Sequence, residues 1–278
     1  MTEDSRLLVN QVMETLRKWN QKAFLYPKTL SDLRGPSVVL FLLSECPQGN
    51  GLVPEPCFVF NKRSKLVRQS GDLCFPGGGI VHYIDSIGAK LLGLPFFPLG
   101  RWRYWKEGKT LRREESALLA LLLATGLRES LEEMRLNPFG TEFLGQMPPQ
   151  TLQPFQKVLY PMVVWIRNQK RFFPNWEVEK IVPIPVKDFL KPEKYVCYRM
   201  RFESSPTAND EALQDFPGFV HEDGEDMEVL WGVTYRIVIT FLEIVFGFSP
   251  PEINSLKVIE GIRDENYFEA ASKKNKRI

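Results

Sequence analysis

From Arg112 to Met134 the chain runs without a proline and opens on Glu114 and Glu115. A stretch of that kind is a long helix, its first-turn acids set against the positive end of the helix dipole. It closes on Arg128-Glu129-Ser130-Leu131-Glu132-Glu133. Spacings of i, i+3 and i+4 put Glu129, Glu132 and Glu133 on one face of that helix. Three like charges so close repel one another, and a hard cation removes the penalty. Mg²⁺ or Mn²⁺ prefers such oxygen ligands and often shares them with substrate phosphates. Arg128, four residues before Glu132, can brace the cluster. From spacing alone, a solvated acidic face is the commoner explanation of such a triad. The context shifts the weight: Phe75-Pro76-Gly77-Gly78-Gly79 makes a turn of great backbone freedom, and Arg101, Arg103, Lys106 and Lys109 follow it.

Around this helix the chain alternates strands and helices without a strict rhythm. Leu7, Leu8, Val12, Leu16 and Trp19 predict an amphipathic helix over about Ser5 to Trp19. Strands are predicted at Val38 to Leu43, Phe58 to Phe60, Tyr160 to Ile166, Val178 to Val186 and Tyr195 to Phe202. Lys22 to Arg34 is expected as a connection, Pro47 to Pro56 as a loop, and Asn209 to Glu228 as an acidic loop before a helix over Trp231 to Phe246. Between Ile80 and Lys109, Pro95, Pro98 and Gly100 interrupt any regular element. This mixture predicts an α+β fold with a mixed sheet flanked by helices. It divides into an N-terminal helix and connection (1–34), one domain (35–250) with an insertion at about 80–112, and a C-terminal tail (251–278).

Several function classes fall away. Lys and Arg number 36 against 34 Asp and Glu, so no global charge favours nucleic acid. No stretch approaches the roughly 18 consecutive apolar residues of a membrane helix. The opening Thr2-Glu3-Asp4 does not resemble a secretory signal, and a cytoplasmic protein is expected. Cys46, Cys57, Cys74 and Cys197 form no CxxC pair and are expected to be reduced, partly buried thiols. His82 and His221, the only histidines, are too few for a histidine-rich metal site. Cys74 is expected to pack rather than to act as a nucleophile.

Arg128 to Leu136 resembles the end of the Nudix box, with Ser130 in place of an aliphatic residue and Arg135 in place of a glycine. The run Asn61-Lys62-Arg63-Ser64-Lys65-Leu66-Val67-Arg68, continuing through Ser70-Gly71 to Phe75-Pro76-Gly77-Gly78, is similar to the coenzyme A pyrophosphatase branch of the Nudix superfamily. Gly145 to Pro149, Pro161-Met162-Val163, Glu177-Val178, Ile184-Pro185 and Leu230 to Thr234 follow in that branch's order. The resemblance implies a Nudix fold, an α/β/α sandwich. It implies metal-dependent hydrolysis of the diphosphate of coenzyme A or an acyl-coenzyme A, to 3′,5′-ADP and a 4′-phosphopantetheine product. Glu129, Glu132 and Glu133 would hold Mg²⁺ or Mn²⁺, with Arg128 positioning them. Lys62, Arg63, Arg68, Gly77 and Gly78 would meet the substrate, and Glu177 is a candidate general base as much as a surface acid.

The pattern is broken in two places. The usual box carries a glutamate eight positions before its arginine, and Ala120 stands there. The turn and the helix are also separated by the long insertion. That insertion reads either as a lid, with Trp102 or Trp105 stacking on a ring and Arg101 or Arg103 on phosphate, or as packing. The expected partner is a small-molecule nucleotide, without nucleic acid or membrane, and a homodimer is compatible with the sequence. A Nudix hydrolase of another nucleoside diphosphate-linked substrate, and a non-catalytic nucleotide-binding protein, are the competing readings.

Overall fold

The computed structural model describes residues 1–22, 36–46, 54–106, 113–152, 157–202, 213–224, 226–263 and 267. The expected connection beyond Lys22, at 23–34, the loop core at 47–53, Lys109 and Arg112 lie outside those residues.

The central sheet is organised around β1 (Ser37–Cys46), whose side chains alternate between two cores. Val38, Leu40 and Leu42 enter one and Phe41 and Leu43 the other, the period-two pattern of a strand buried on both faces. β2 (Glu55–Arg63) lies antiparallel on one side of β1, and β7 (Lys157–Ile166) lies parallel on the other. β3 (Leu73–Cys74) and β8 (Val178–Pro185) pair with β2. β4 (Gly77–Gly79) pairs with β1, and β5 (Thr141–Gln146) and β6 (Gln150–Leu152) pair with β7.

One face is covered by α2 (His82–Leu92) and α5 (Arg113–Met134). Leu119, Leu122, Leu123 and Leu127 of α5 share a core with Val38, Leu40 and Leu42. The opposite face carries α1 (Glu3–Lys22) and α6 (Gly232–Phe246), with Phe41 stacked on Phe241 at 4.7 Å. The fold is thus α+β, a mixed sheet between helices, as the pattern predicted.

Four expectations need correction. The acidic stretch before α6 is a hairpin, β10 (Leu213–Asp223) and β11 (Asp226–Trp231), turning at Gly224 with φ +67°. Its acids misled because they gather at the turn, while Phe219 and Leu230 pair in register and bury completely or nearly so. Residues 80–106 of the insertion are not irregular: α2 is followed by α3 (Pro98–Arg101) and α4 (Arg103–Lys106). Pro98 opens α3, where a missing N–H costs nothing. The stretch expected as a tail after residue 250 supplies β12 (Lys257–Arg263), which runs parallel to β9 (Tyr195–Phe202) at the edge of a second sheet, β11-β10-β9-β12. Finally, Cys46 and Cys57 are joined by a disulfide, not reduced. The β1–β2 register places Ser44 opposite Cys57 and Cys46 opposite Glu55, so the two cysteines are diagonal neighbours with Cα atoms 5.9 Å apart. Among the described residues no helix is long and apolar enough to cross a membrane.

Candidate active site

The Gly77–Gly79 bend and the end of α5 are built against each other. At Gly77 a Cβ would lie 2.1 Å from the Val38 carbonyl oxygen, so only glycine lets β4 pair this closely with β1. At Gly78 a Cβ would lie 2.2 Å from Glu129 Oε1: the space a side chain would take is filled by the Glu129 carboxylate. The Gly77 N–H donates to Glu133 Oε1 at 3.2 Å, and Asn61 Nδ2 of β2 donates to Glu133 Oε2 at 2.7 Å. Glu132, with 55% of its side chain exposed, stands at the outer edge of the cluster.

Arg128 ties these parts together. Its guanidinium donates to Glu129 Oε1 at 3.0 Å and to the Gly79 carbonyl at 3.0 Å, and pairs with Glu132 at 3.4 Å. From the other side it is gripped by Asp85 of α2, at 2.8 Å from Nε and 3.2 Å from Nη2. Asp85 is only 1% exposed and also accepts from the Val81 N–H and the Thr125 hydroxyl. Burial alone would lift its carboxyl, but the bonds from Arg128, Val81 and Thr125 prevail and hold it below the ordinary aspartate range. Asp85, hidden within the insertion, was not singled out from the sequence. Ala120 packs in the apolar core under α5, and Arg128 draws its buried carboxylate, Asp85, from a neighbouring helix besides Glu129 and Glu132 of its own.

The acids themselves are under-compensated. Burial raises Glu129, Arg128 opposes it, and the charges of Glu132 and Glu177 raise it further. Burial pushes Glu133 up to about 7 despite the Gly77 and Asn61 bonds, with Glu129 and Glu177 adding to the rise. The segment that carries Glu177 is tied to the end of β2: the Ser64 N–H donates to the Glu177 carbonyl at 2.9 Å and the Ser64 hydroxyl to that of Trp176 at 2.7 Å. Asn61 is fully buried, and its Oδ1 has no hydrogen-bond partner among the described residues. Uncompensated carboxylates and an orphaned amide oxygen are hard donors of the kind Mg²⁺ or Mn²⁺ takes, so the donor chemistry fits such an ion. Among the described residues, no three His, Cys, Asp or Glu side chains form a ready metal-holding group. An ion here would therefore draw further oxygens from water and substrate, as Mg²⁺ commonly does.

The residues expected to meet substrate are divided. Gly77 and Arg63 line a cavity of about 680 Å³ that opens beside the bend. Arg63 is steadied there by its bond to the Arg68 carbonyl at 2.7 Å, while the Arg68 side chain is exposed. Gly78 serves the Glu129 carboxylate. Lys62 pairs with Glu228 at 2.9 Å and Glu179 at 3.5 Å and does not line the cavity. The insertion's Trp102 packs on Phe143, with centroids 5.0 Å apart. Arg101 donates to the Phe139 and Thr141 carbonyls and Arg103 pairs with Glu14, so these groups serve packing. Burial pushes the Cys74 thiol up to about 12, which suits a packing residue.

A stretch of 129 residues, 45% of this chain, is 30% identical to the protein named Nudix hydrolase 22, chloroplastic, of Arabidopsis thaliana. Over that stretch the chain is similar to a Nudix hydrolase. The chain spans 40% of the length of that relative. No protein-family model matches the chain. Among solved structures, a MutT/nudix family protein from Enterococcus faecalis is similar over 89% of this chain and 76% of its own, at 12% identity and a TM-score of 0.38. A NUDIX hydrolase from Nitrosomonas europaea is similar over 82% and 81%, at 13% identity and a TM-score of 0.36. In this chain the glycine bend, the α5 acids and Asp85 make one connected unit.

Proposed function

We propose that the chain is a Nudix-type hydrolase that cleaves the diphosphate of a nucleoside diphosphate derivative, with coenzyme A or an acyl-coenzyme A as substrate. The observation that carries this reading is the Glu129 carboxylate filling the side-chain space of Gly78 while Glu133 accepts the Gly77 N–H. The choice of coenzyme A rests on the Lys62 to Gly79 string described from the sequence. Glu129, Glu132 and Glu133 would hold Mg²⁺ or Mn²⁺, with Asn61 and Glu177 beside them. Such an ion, when bound, polarises a phosphoryl oxygen and acidifies water.

The chain's own groups account for the remainder. Asp85 fixes Arg128, and Arg128 fixes Glu129 against the bend, so the acids keep their geometry as charge develops. Water adds to one phosphorus, the bridging P–O bond breaks, and the leaving phosphate keeps the bonding pair. A carboxylate of the cluster, Glu177 among the candidates, accepts the proton that water gives up. Arg63, at the cavity beside Gly77, faces the growing phosphate charge.

A second reading, a nucleotide-binding protein that does not cut, is favoured by one observation: no three acids among the described residues stand ready as a metal group. Incubating the purified protein with Mg²⁺ or Mn²⁺ and coenzyme A, acyl-coenzyme A, NADH, ADP-ribose and dinucleoside polyphosphates separates the two. Product from coenzyme A, lost in Glu132→Gln and Glu133→Gln, supports the hydrolase. Thermal stabilisation by these compounds with no product, unaltered by either substitution, selects the binding protein.

A further inference from the structure

The cavity beside the bend is larger than a diphosphate needs. Its volume of about 680 Å³ is that of a small-molecule site, and beside polar groups such as Arg236 and Gln214 its lining carries the aliphatic Val39, Leu73, Leu152, Leu159 and Ile237. Phe216 and Trp231 form one wall, with ring centroids 5.1 Å apart and planes inclined at 57°. Rings set at that angle offer no parallel slot for a purine to enter, so they act as an apolar wall rather than a stacking clamp. The wall is fixed: Trp231 Nε1 donates to Asp72 at 3.1 Å, and Asp72 also accepts the Tyr267 hydroxyl. Gly77 belongs to both sites, lining the cavity while its N–H holds Glu133. A group in the cavity would therefore border the residue that holds Glu133, with Arg63 in the lining to meet phosphate.

Building on the function proposed above, we infer that this cavity binds the apolar end of a flexible chain carried on the diphosphate, and that it selects substrates by the length of that apolar end. Val233, in the first turn of α6, and Leu152, on β6, line the space a growing chain would fill.

The test is calorimetric titration of the full chain with coenzyme A, hexanoyl-coenzyme A and decanoyl-coenzyme A, in EDTA so that no cleavage intervenes. The Kd should tighten along the series, by up to about fourfold for each methylene that buries fully. Val233→Trp and Leu152→Trp, each placing an indole in the cavity, should flatten that gradient; two variants guard against one misfolding, which a thermal melt reports. A flat wild-type series, no binding by any of the three, or a gradient preserved in both folded variants overturns the assignment. Turnover with Mg²⁺ is read separately. Cleavage without a length gradient defeats the cavity assignment alone, and a gradient without cleavage of any substrate defeats the hydrolase reading alone.

Discussion

Asn61 and Lys62 are neighbours on β2, yet they serve charge clusters of opposite character. Asn61 donates to Glu133, in the group that holds Glu129, Glu132, Arg128 and Asp85. Lys62 pairs with the buried Glu228, which also meets Lys180, itself bonded to Asp223 and Asp226. In the second cluster each of these acids touches a lysine at 2.9 Å. Bonding to Asp223, Glu228 and Asp226 raises Lys180 despite some burial, and Lys180 in turn lowers Asp226. In the first, Arg128 is the shared cation, and both Glu129 and Glu133 are lifted above the ordinary carboxylate range, chiefly by burial. In the Lys62 cluster every acid has a lysine within ion-pair distance, and the pairs brace the second sheet against β2. The Glu133 cluster leaves negative charge for something else to complete, the pattern expected of a working site.

The largest effect should come from Glu133→Gln. It keeps the side chain's size and removes a buried, under-compensated charge, which offsets the loss of one of the two hydrogen bonds Glu133 accepts, so the melting temperature should change little. Turnover on the substrate panel should fall by about a hundredfold or more. Saturating Mn²⁺ should stabilise the wild type in a thermal melt, by about 2.7 kcal/mol at a hundredfold excess over its Kd. That shift should shrink in the variant. A variant that unfolds while the wild type ignores Mn²⁺ would reverse the roles assigned to the two clusters.

Asp85→Asn should rank next. Asn can accept from Arg128 but carries no charge to orient it, so turnover should drop by about 10- to 100-fold, in line with other partners that orient a ligating group. Asp85→Glu, which restores the charge, should recover part of that loss, whereas a purely structural role would show a lowered melting temperature with kcat unchanged.

This residue also marks where the sequence ceased to be legible. The acid face of α5 was readable because helical spacing alone brings Glu129, Glu132 and Glu133 together, and β1 because an unbroken apolar run needs cover on both faces. Asp85 was not readable: its partner Arg128 is 43 residues away, and Pro95, Pro98 and Gly100 made its surroundings look irregular. Exposed Tyr83, Ile84 and Ile87 also blurred the periodicity of α2. The Cys46–Cys57 bridge depends on strand register, which spacing does not encode. The β10–β11 hairpin was masked by acids whose lysine partners, Lys62 and Lys180, come from other strands.

Glu228→Gln should reverse the signature of Glu133→Gln. Glu228 is 3% exposed and its loss leaves Lys62 and Lys180 facing each other with fewer acids between them. Breaking a buried pair is costly. Here Glu179 and Asp223 retain part of the compensation, so about 2–3 kcal/mol of stability should disappear in a denaturant titration, with kcat unchanged.

Asp226→Ala should do least, and for that reason it sharpens the comparison. Asp226 meets the same lysine at the same 2.9 Å as Glu228, but its side chain is 65% exposed. Water already solvates its charge, and Lys180 keeps Asp223 and Glu228 when it is gone. The denaturation midpoint should therefore stay where it is, within the error of the titration. If the midpoint instead fell as far as in Glu228→Gln, distance rather than burial would govern this cluster. The contrast between a lysine-paired brace and an under-compensated site would then have to rest on turnover alone.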